Sequence, residues 1–306
     1  MKTFEDFRDS IVADLPGILP KNFAGAEISV QPMKKNSREV AGIQIRKAMG
    51  NGMSGGPVFY ADRLYDDYQK GKEYGAIIDD LAHALQTMLP PKLGDVLDKI
   101  KDPDGWRVAA VPVSSVKAES FSGAEIVGDI AAVPYAVIDA EESGMSTVSI
   151  TDNLLAVIDK SASEVLGTAK ANMSQVATAK TMLEVICGMV PPGMAEAMIP
   201  NEVPTMIVVS TSTEKQGAGV VFDKSFMDSV CEKYADLKNG AIVLPSSTDE
   251  CILVPLGFDD PGRLTDMVTN INADCVEESV KLSDSVFAYY PGVGLTPADP
   301  ALLAGR

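Results

Sequence analysis

The 306-residue chain contains a single histidine, His83. A Ser-His-Asp relay would have to use it, and no Gly-x-Ser-x-Gly elbow exists to supply the nucleophile. Cysteine is also sparse: Cys187, Cys231, Cys251 and Cys275. No two of them stand at Cys-x-x-Cys spacing and no histidine accompanies them, which argues against zinc. Each lies in an apolar or helical pattern, which predicts buried free thiols in a reducing compartment. No run of about 18 uncharged apolar residues occurs, so no membrane span is expected. The Met-rich segment 182–199 comes nearest, but Pro191-Pro192-Gly193 interrupts it and Glu184 and Glu196 charge it. The first residues, Met1-Lys-Thr-Phe-Glu-Asp-Phe7, lack the apolar region of a signal peptide, so a cytoplasmic location is expected. Positive charge is scarce as well: 26 Lys and Arg face 43 Asp and Glu, a net charge of −17. Such a surface repels phosphate backbones and disfavours direct nucleic-acid binding. Internal repeats and low-complexity segments are absent too.

What is present is ordinary globular composition, with 46% hydrophobic and 23% charged residues. Phe4, Phe7, Ile11 and Leu15 recur at helical spacing over 3–15. Residues 26–33 and 39–47 alternate about a Lys34-Lys35-Asn36-Ser37 turn, a hairpin signal. A short strand is expected at 57–60 and helices at about 62–70 and 75–89, the second with a stripe of Ile77, Ile78, Leu81, Leu85 and Met88. His83 lies off that stripe. A further helix is expected at 92–100, strands at 107–113, 126–138 and 145–150, then helices over 153–159, after Ser161, and over 176–188. The Pro-bearing segment 189–204 predicts a boundary between an N-terminal part, 1–190, and a C-terminal part, 204–291. In the latter, strands are expected at 205–211, 218–222, 241–244, 251–255 and 285–290. Helices are expected over 224–236 and after Asp260-Pro261, where Leu264, Met267, Val268 and Ile271 face inward. Residues 292–306 read as a loose Gly/Pro-rich tail. The fold class is α+β, with mixed or mainly antiparallel sheets, helices on one face and two subdomains.

Several motifs have bland explanations. Gly50-Asn-Gly52-Met-Ser-Gly55 matches the dinucleotide pattern, but that pattern needs a helix N-terminus after the last glycine. Here Pro57-Val-Phe-Tyr60 reads as a strand. Ser114-Ser-Val-Lys117 and Ser212-Thr-Glu-Lys215 match the Ser-x-x-Lys of acyl-enzymes without its helical setting. Asp62, Asp66 and Asp67, with Asp79 and Asp80, read as solvated helix faces rather than cation ligands. Asp102-Pro-Asp-Gly105 is a turn. No cofactor and no metal is implied.

The most informative stretch is Gly240-Ala-Ile-Val-Leu-Pro-Ser-Ser-Thr-Asp-Glu-Cys-Ile-Leu-Val-Pro255, two apolar runs around a polar tip. Together with Thr205–Phe222, Leu282–Tyr289, Ala26–Val30, Gly42–Arg46 and Phe59–Gly71, it resembles the bacterial family catalogued as domain of unknown function 5688. The resemblance is weakest over 105–150. It implies an α+β fold, mobile-element neighbourhoods and no assigned activity. Family hairpins commonly read Pro-Ser-Ser, an apolar residue, then His-Glu. Here Thr248 and Asp249 precede Glu250, and an aspartate cannot replace imidazole as a base near pH 7. The tip is therefore structural, or the chain is an inactive variant.

Three functions follow as expectations. The first is a non-enzymatic binding or regulatory protein acting on a macromolecule, preferably a protein. The second is a hydrolase using Ser246, Ser247, Asp249 and Glu250 at the tip, with Lys215 or Arg263 nearby. The third is an acidic anti-defence protein that mimics DNA.

Overall fold

A computed structural model describes residues 2–35, 38–50, 53–87, 93–141, 144–189, 205–245, 247–277 and 280–298. The chain forms two compact units, Met1–Asp98 and Lys99–Arg306. The expected boundary segment, 189–204, lies outside the described residues apart from Met189.

In the first unit, β1 (Glu27–Lys35) and β2 (Arg38–Gly50) form the expected antiparallel hairpin. The short strands β3 (Met53–Gly55) and β4 (Val58–Tyr60) both pair antiparallel with β2. Gly55 pairs with Lys47 inside a strand. The glycine run thus leads into a sheet and not into the helix N-terminus that a pyrophosphate needs. Gly56 is required sterically, because a Cβ there would sit 1.9 Å from the Ile45 carbonyl oxygen. The helices α1 (Phe4–Ile18), α2 (Ala61–Gln69) and α3 (Tyr74–Thr87) form where expected, and α1 and α3 bury the stripes that their spacing predicts, Met88 of the α3 stripe lying outside the described residues. Phe7, Ile11, Leu15, Ile77, Leu81 and Leu85 join Ile43 and Ile45 of β2 in one core. Phe7 packs against Tyr65, Tyr68 and Tyr74, with ring centroids 5.1–5.8 Å apart. Asp62 accepts from the Ala41 amide at 2.7 Å, which ties α2 to β2.

The second unit begins within α4 (Leu93–Lys101) and holds two antiparallel sheets. In the smaller, the long strand β7 (Ile130–Glu141) pairs with β5 (Trp106–Pro112), β6 (Glu125–Val127) and β8 (Gly144–Ser149). One strand was expected over 126–138; Gly128, at φ +58°, turns the chain there and makes two. Strand alternation sends Val108, Ala110, Ala132 and Ala136 to one face. The other face carries Ala109, Val111, Ala131, Val133 and Tyr135. The larger sheet runs β14 (Gly294–Pro297), β13 (Phe287–Tyr290), β11 (Ala241–Leu244), β12 (Cys251–Pro255), β10 (Ile207–Thr211) and β9 (Ala177–Thr181). Its inner face buries Ile207, Val209, Ala241, Val243, Leu253, Phe287 and Tyr289.

Between the sheets lies Gly217–Phe222, buried throughout. A strand was expected over 218–222, but the segment is a 3-10 helix. Its glycines explain why: a Cβ on Gly219 would meet the Val108 carbonyl oxygen at 2.0 Å, and one on Gly217 the Ser210 hydroxyl at 2.2 Å. After the short helices α5 (Val116–Glu119) and α6 (Asp152–Ile158), the helix α7 (Ala162–Met173), capped by Ser161 through the Glu164 amide at 3.2 Å, packs beside this segment.

Further differences are local. The helix expected over 176–188 is β9 followed by α8 (Met182–Met189), because Thr181 and Glu184 form a capping box that starts the helix late. The helix α9 (Lys224–Lys233) is capped by Asp223, as expected. The helix α10 (Pro261–Cys275) is capped by Asp260 and buries Leu264 and Val268. Met267 and Ile271, expected inward, are exposed, and Asn272 faces in instead. Cys231 and Cys251 are buried, but Cys187 and Cys275 are exposed, contrary to expectation. The segment expected as a loose tail contributes β14 at the sheet edge.

Candidate functional site

The β11–β12 hairpin pairs in the expected register, from Ala241 opposite Pro255 to Leu244 opposite Ile252. Its apolar strands are central in the larger sheet, which fixes the tip rigidly against the end of β10 and the turn 212–216. Ser246 lies outside the described residues. Ser247 makes an isolated antiparallel bridge with Lys281, and its hydroxyl accepts from the Asp249 amide at 3.1 Å. Thr248 donates its amide to the Val280 carbonyl at 2.8 Å and accepts from the Ala218 amide at 3.2 Å.

Asp249 is the most heavily used residue of the tip. Its carboxylate Oδ1 accepts from the Gln216 amide at 2.8 Å. Its carbonyl accepts from the Ser210 hydroxyl at 2.6 Å. Lys215 Nζ stands 3.9 Å from Oδ2. These bonds hold a turn in which Glu214 and Gln216 have φ of +54° and +50°, a conformation disfavoured for non-glycine residues. Thr211, 3% exposed, closes the same turn by donating to the Lys215 carbonyl at 3.0 Å. The aspartate therefore acts as a clamp on a strained turn. Arg263, in the first turn of α10, pairs at 3.8 Å with Asp259, just ahead of the helix. The hydrolase residues Lys215 and Asp249 are brought together; among the described contacts, Arg263 is not brought to them. His83 belongs to the first unit.

Glu250, at the tip, lines a cavity. The space, about 250 Å³, lies where α8 crosses the outer face of β9 and β10. Lys180, Ser210, Glu214, Val185 and Met189 share its walls. Lys180 and Glu214 are paired at 3.5 Å. Partial desolvation, with Asp249 and Glu214 beside it, raises the Glu250 carboxyl above the usual glutamate range. Glu184 is pulled the other way: the Thr181 amide and hydroxyl donate to it at 2.6 and 2.9 Å and lower its pKa.

A second, larger recess, about 400 Å³, opens beside β7. It forms where β7 carries an extra residue, Ile138, between the pairs Val137–Thr147 and Asp139–Ser146. Such a bulge re-aims the side chains around it. Arg107 and Tyr135, directly opposite each other across β5 and β7, both line it. Sequence reasoning assigned both residues to strands but not to a site, because no spacing signal links residues 28 positions apart before the register is known.

Among the described residues, no group of three or more His, Cys, Asp or Glu is arranged to hold a metal ion. No described helix is long and apolar enough to cross a membrane. No curated protein and no solved structure matches the chain. A family model does match it, over residues 4–290 of the 306, from α1 through β13. The chain belongs to that family of unknown function, DUF5688.

Proposed function

We propose that this chain is a binding protein that acts on a protein partner, and not an enzyme working at the hairpin tip. The observation that carries the reading is the outer surface of α10. Met267 and Ile271 stand four residues apart on this helix, 38% and 45% exposed, with exposed Asp266 and Asp274 beside them. The helix α8, on the same face of the larger sheet, exposes Leu183 and Met189. Apolar side chains bordered by carboxylates, on a chain of net charge −17, favour a partner that sets apolar residues among lysines and arginines. The tip supports the same reading from the other side, since Asp249 and Ser247 are occupied in holding a turn.

The test is affinity capture from the native host with the wild type and a Met267→Glu, Ile271→Glu variant of matched thermal stability. A partner retained by the wild type and lost by the variant supports the surface. Identical profiles for the two proteins sink it.

A second reading rests on Glu250, whose raised carboxyl at a cavity mouth suits proton transfer. Nitrophenyl esters, phosphates and glycosides would be offered to the wild type and to Glu250→Gln. Turnover that the variant loses favours this reading; no turnover by either removes it.

A further inference from the structure

The recess beside β7 is built differently from the rest of this acidic surface. Tyr135 forms part of its floor and is only 4% exposed. Among the described residues nothing hydrogen-bonds to its hydroxyl. Its ring is packed away while its hydroxyl keeps contact with solvent, so the O–H can donate into the recess. Here the open side of the ring is the recess itself.

Arg107 stands opposite Tyr135 and, with Lys99 in the same lining, supplies the positive charge. Its Nη1 donates to the Asp104 and Trp106 carbonyls at 2.6 and 2.8 Å, which fixes the guanidinium in place. Among the described residues no carboxylate pairs with it. A cation anchored by neutral carbonyls is left without a direct ion pair, and an arginine fork matches planar anions. Burial pushes the Tyr135 phenol up to about 12, and Asp249 adds to this while Arg107 opposes it. The hydroxyl therefore stays protonated and is a donor at neutral pH. The carboxylates of the rim, Asp102, Asp104 and Asp139, are exposed to solvent. Solvent screens them, whereas the two donors act from the partly desolvated floor. The walls between are apolar, from Val137, Met145 and Val176.

From this arrangement we infer that the recess binds a small organic anion, a carboxylate on a short apolar body. Tyr135 and Arg107 hold the carboxylate, and Val137, Met145 and Val176 enclose the body. The volume, about 400 Å³, falls in the range of small-molecule sites. The inference goes beyond the docking reading and does not depend on it, since neither α8 nor α10 contributes to the recess.

The experiment is calorimetric titration of the full chain with benzoate, benzamide and inorganic phosphate, for the wild type and Tyr135→Phe. This substitution removes one oxygen and leaves the ring packing intact, so folding is preserved; circular dichroism confirms it. Saturable binding of benzoate is expected, weakened about tenfold in the variant and by benzamide. Amide chemical-shift changes on benzoate addition should centre on Tyr135 and Thr213. No saturable benzoate binding up to tens of millimolar, or equal binding by Tyr135→Phe, overturns the proposal. Equal binding of benzamide overturns the anion, and binding of phosphate in place of benzoate overturns the apolar body.

Discussion

Asp249 shows how much one side chain can hold. Its backbone and carboxylate together tie β12 to the end of β10 and to a turn with two left-handed residues. Asp249→Ala leaves the partly buried Gln216 amide without its acceptor. The loss of a charge-assisted hydrogen bond should cost about 2 kcal/mol, read as a lower urea midpoint at unchanged slope. The position was conspicuous in the sequence, since it lies in the polar tip between the two apolar runs of the hairpin. Its role was not legible, because the amide it accepts from lies 33 residues earlier and comes near only when β10 and β12 pair. Tyr135 and Arg107 were hidden for the same reason: their meeting is a matter of register, and register is not written in either strand alone.

Elements that carry their own periodicity were legible. The β1–β2 and β11–β12 hairpins and helices α1 and α3 follow from alternation or from a repeating apolar stripe. Elements defined by their neighbours were not. Ala177–Thr181 has helix-tolerant residues and no alternation, yet it becomes a strand because β10 offers it an edge. Thr181 then starts α8 through its capping box with Glu184. Glu184 has a lowered pKa in the folded chain, caused first by the Thr181 amide. A carboxylate shifted in that direction adds stability above its ordinary value of 4.5 and loses it as the pH falls through the lowered native value. Glu184→Ala should therefore be less stable than the wild type at pH 7, with amide exchange quickened at Thr181 and Glu184. The two proteins should converge as the pH drops below 4.5. A gap that persists unchanged in acid would contradict the capping role.

At the scale of the whole second unit, the buried segment Gly217–Phe222 is what allows two sheets to share one core. Its closest approach, at Gly219, leaves no room for a methyl group against the Val108 carbonyl. Gly219→Ala should cost about 3 kcal/mol or more, because backbone on both sides must move. Gly167, exposed on α7 with nothing within 4 Å of a built Cβ, is the contrast. Gly167→Ala should raise stability by about 0.5–1 kcal/mol through helix propensity alone. Thermal melts of the two variants should shift in opposite directions.

The same segment sets an order of events during synthesis. The strands β5 to β8 are complete at Ser149, and Gly217–Phe222 follows only after some seventy more residues, a wait on the order of several seconds at ribosomal rates. Until then the face of β5 and β7 that it covers, with Val108, Ala110 and Ala132, has lost its partner to a stretch of chain not yet made. In that interval the nascent smaller sheet has α7, complete at Met173, to pack on, and the core of the second unit closes only once its buried plug has left the tunnel.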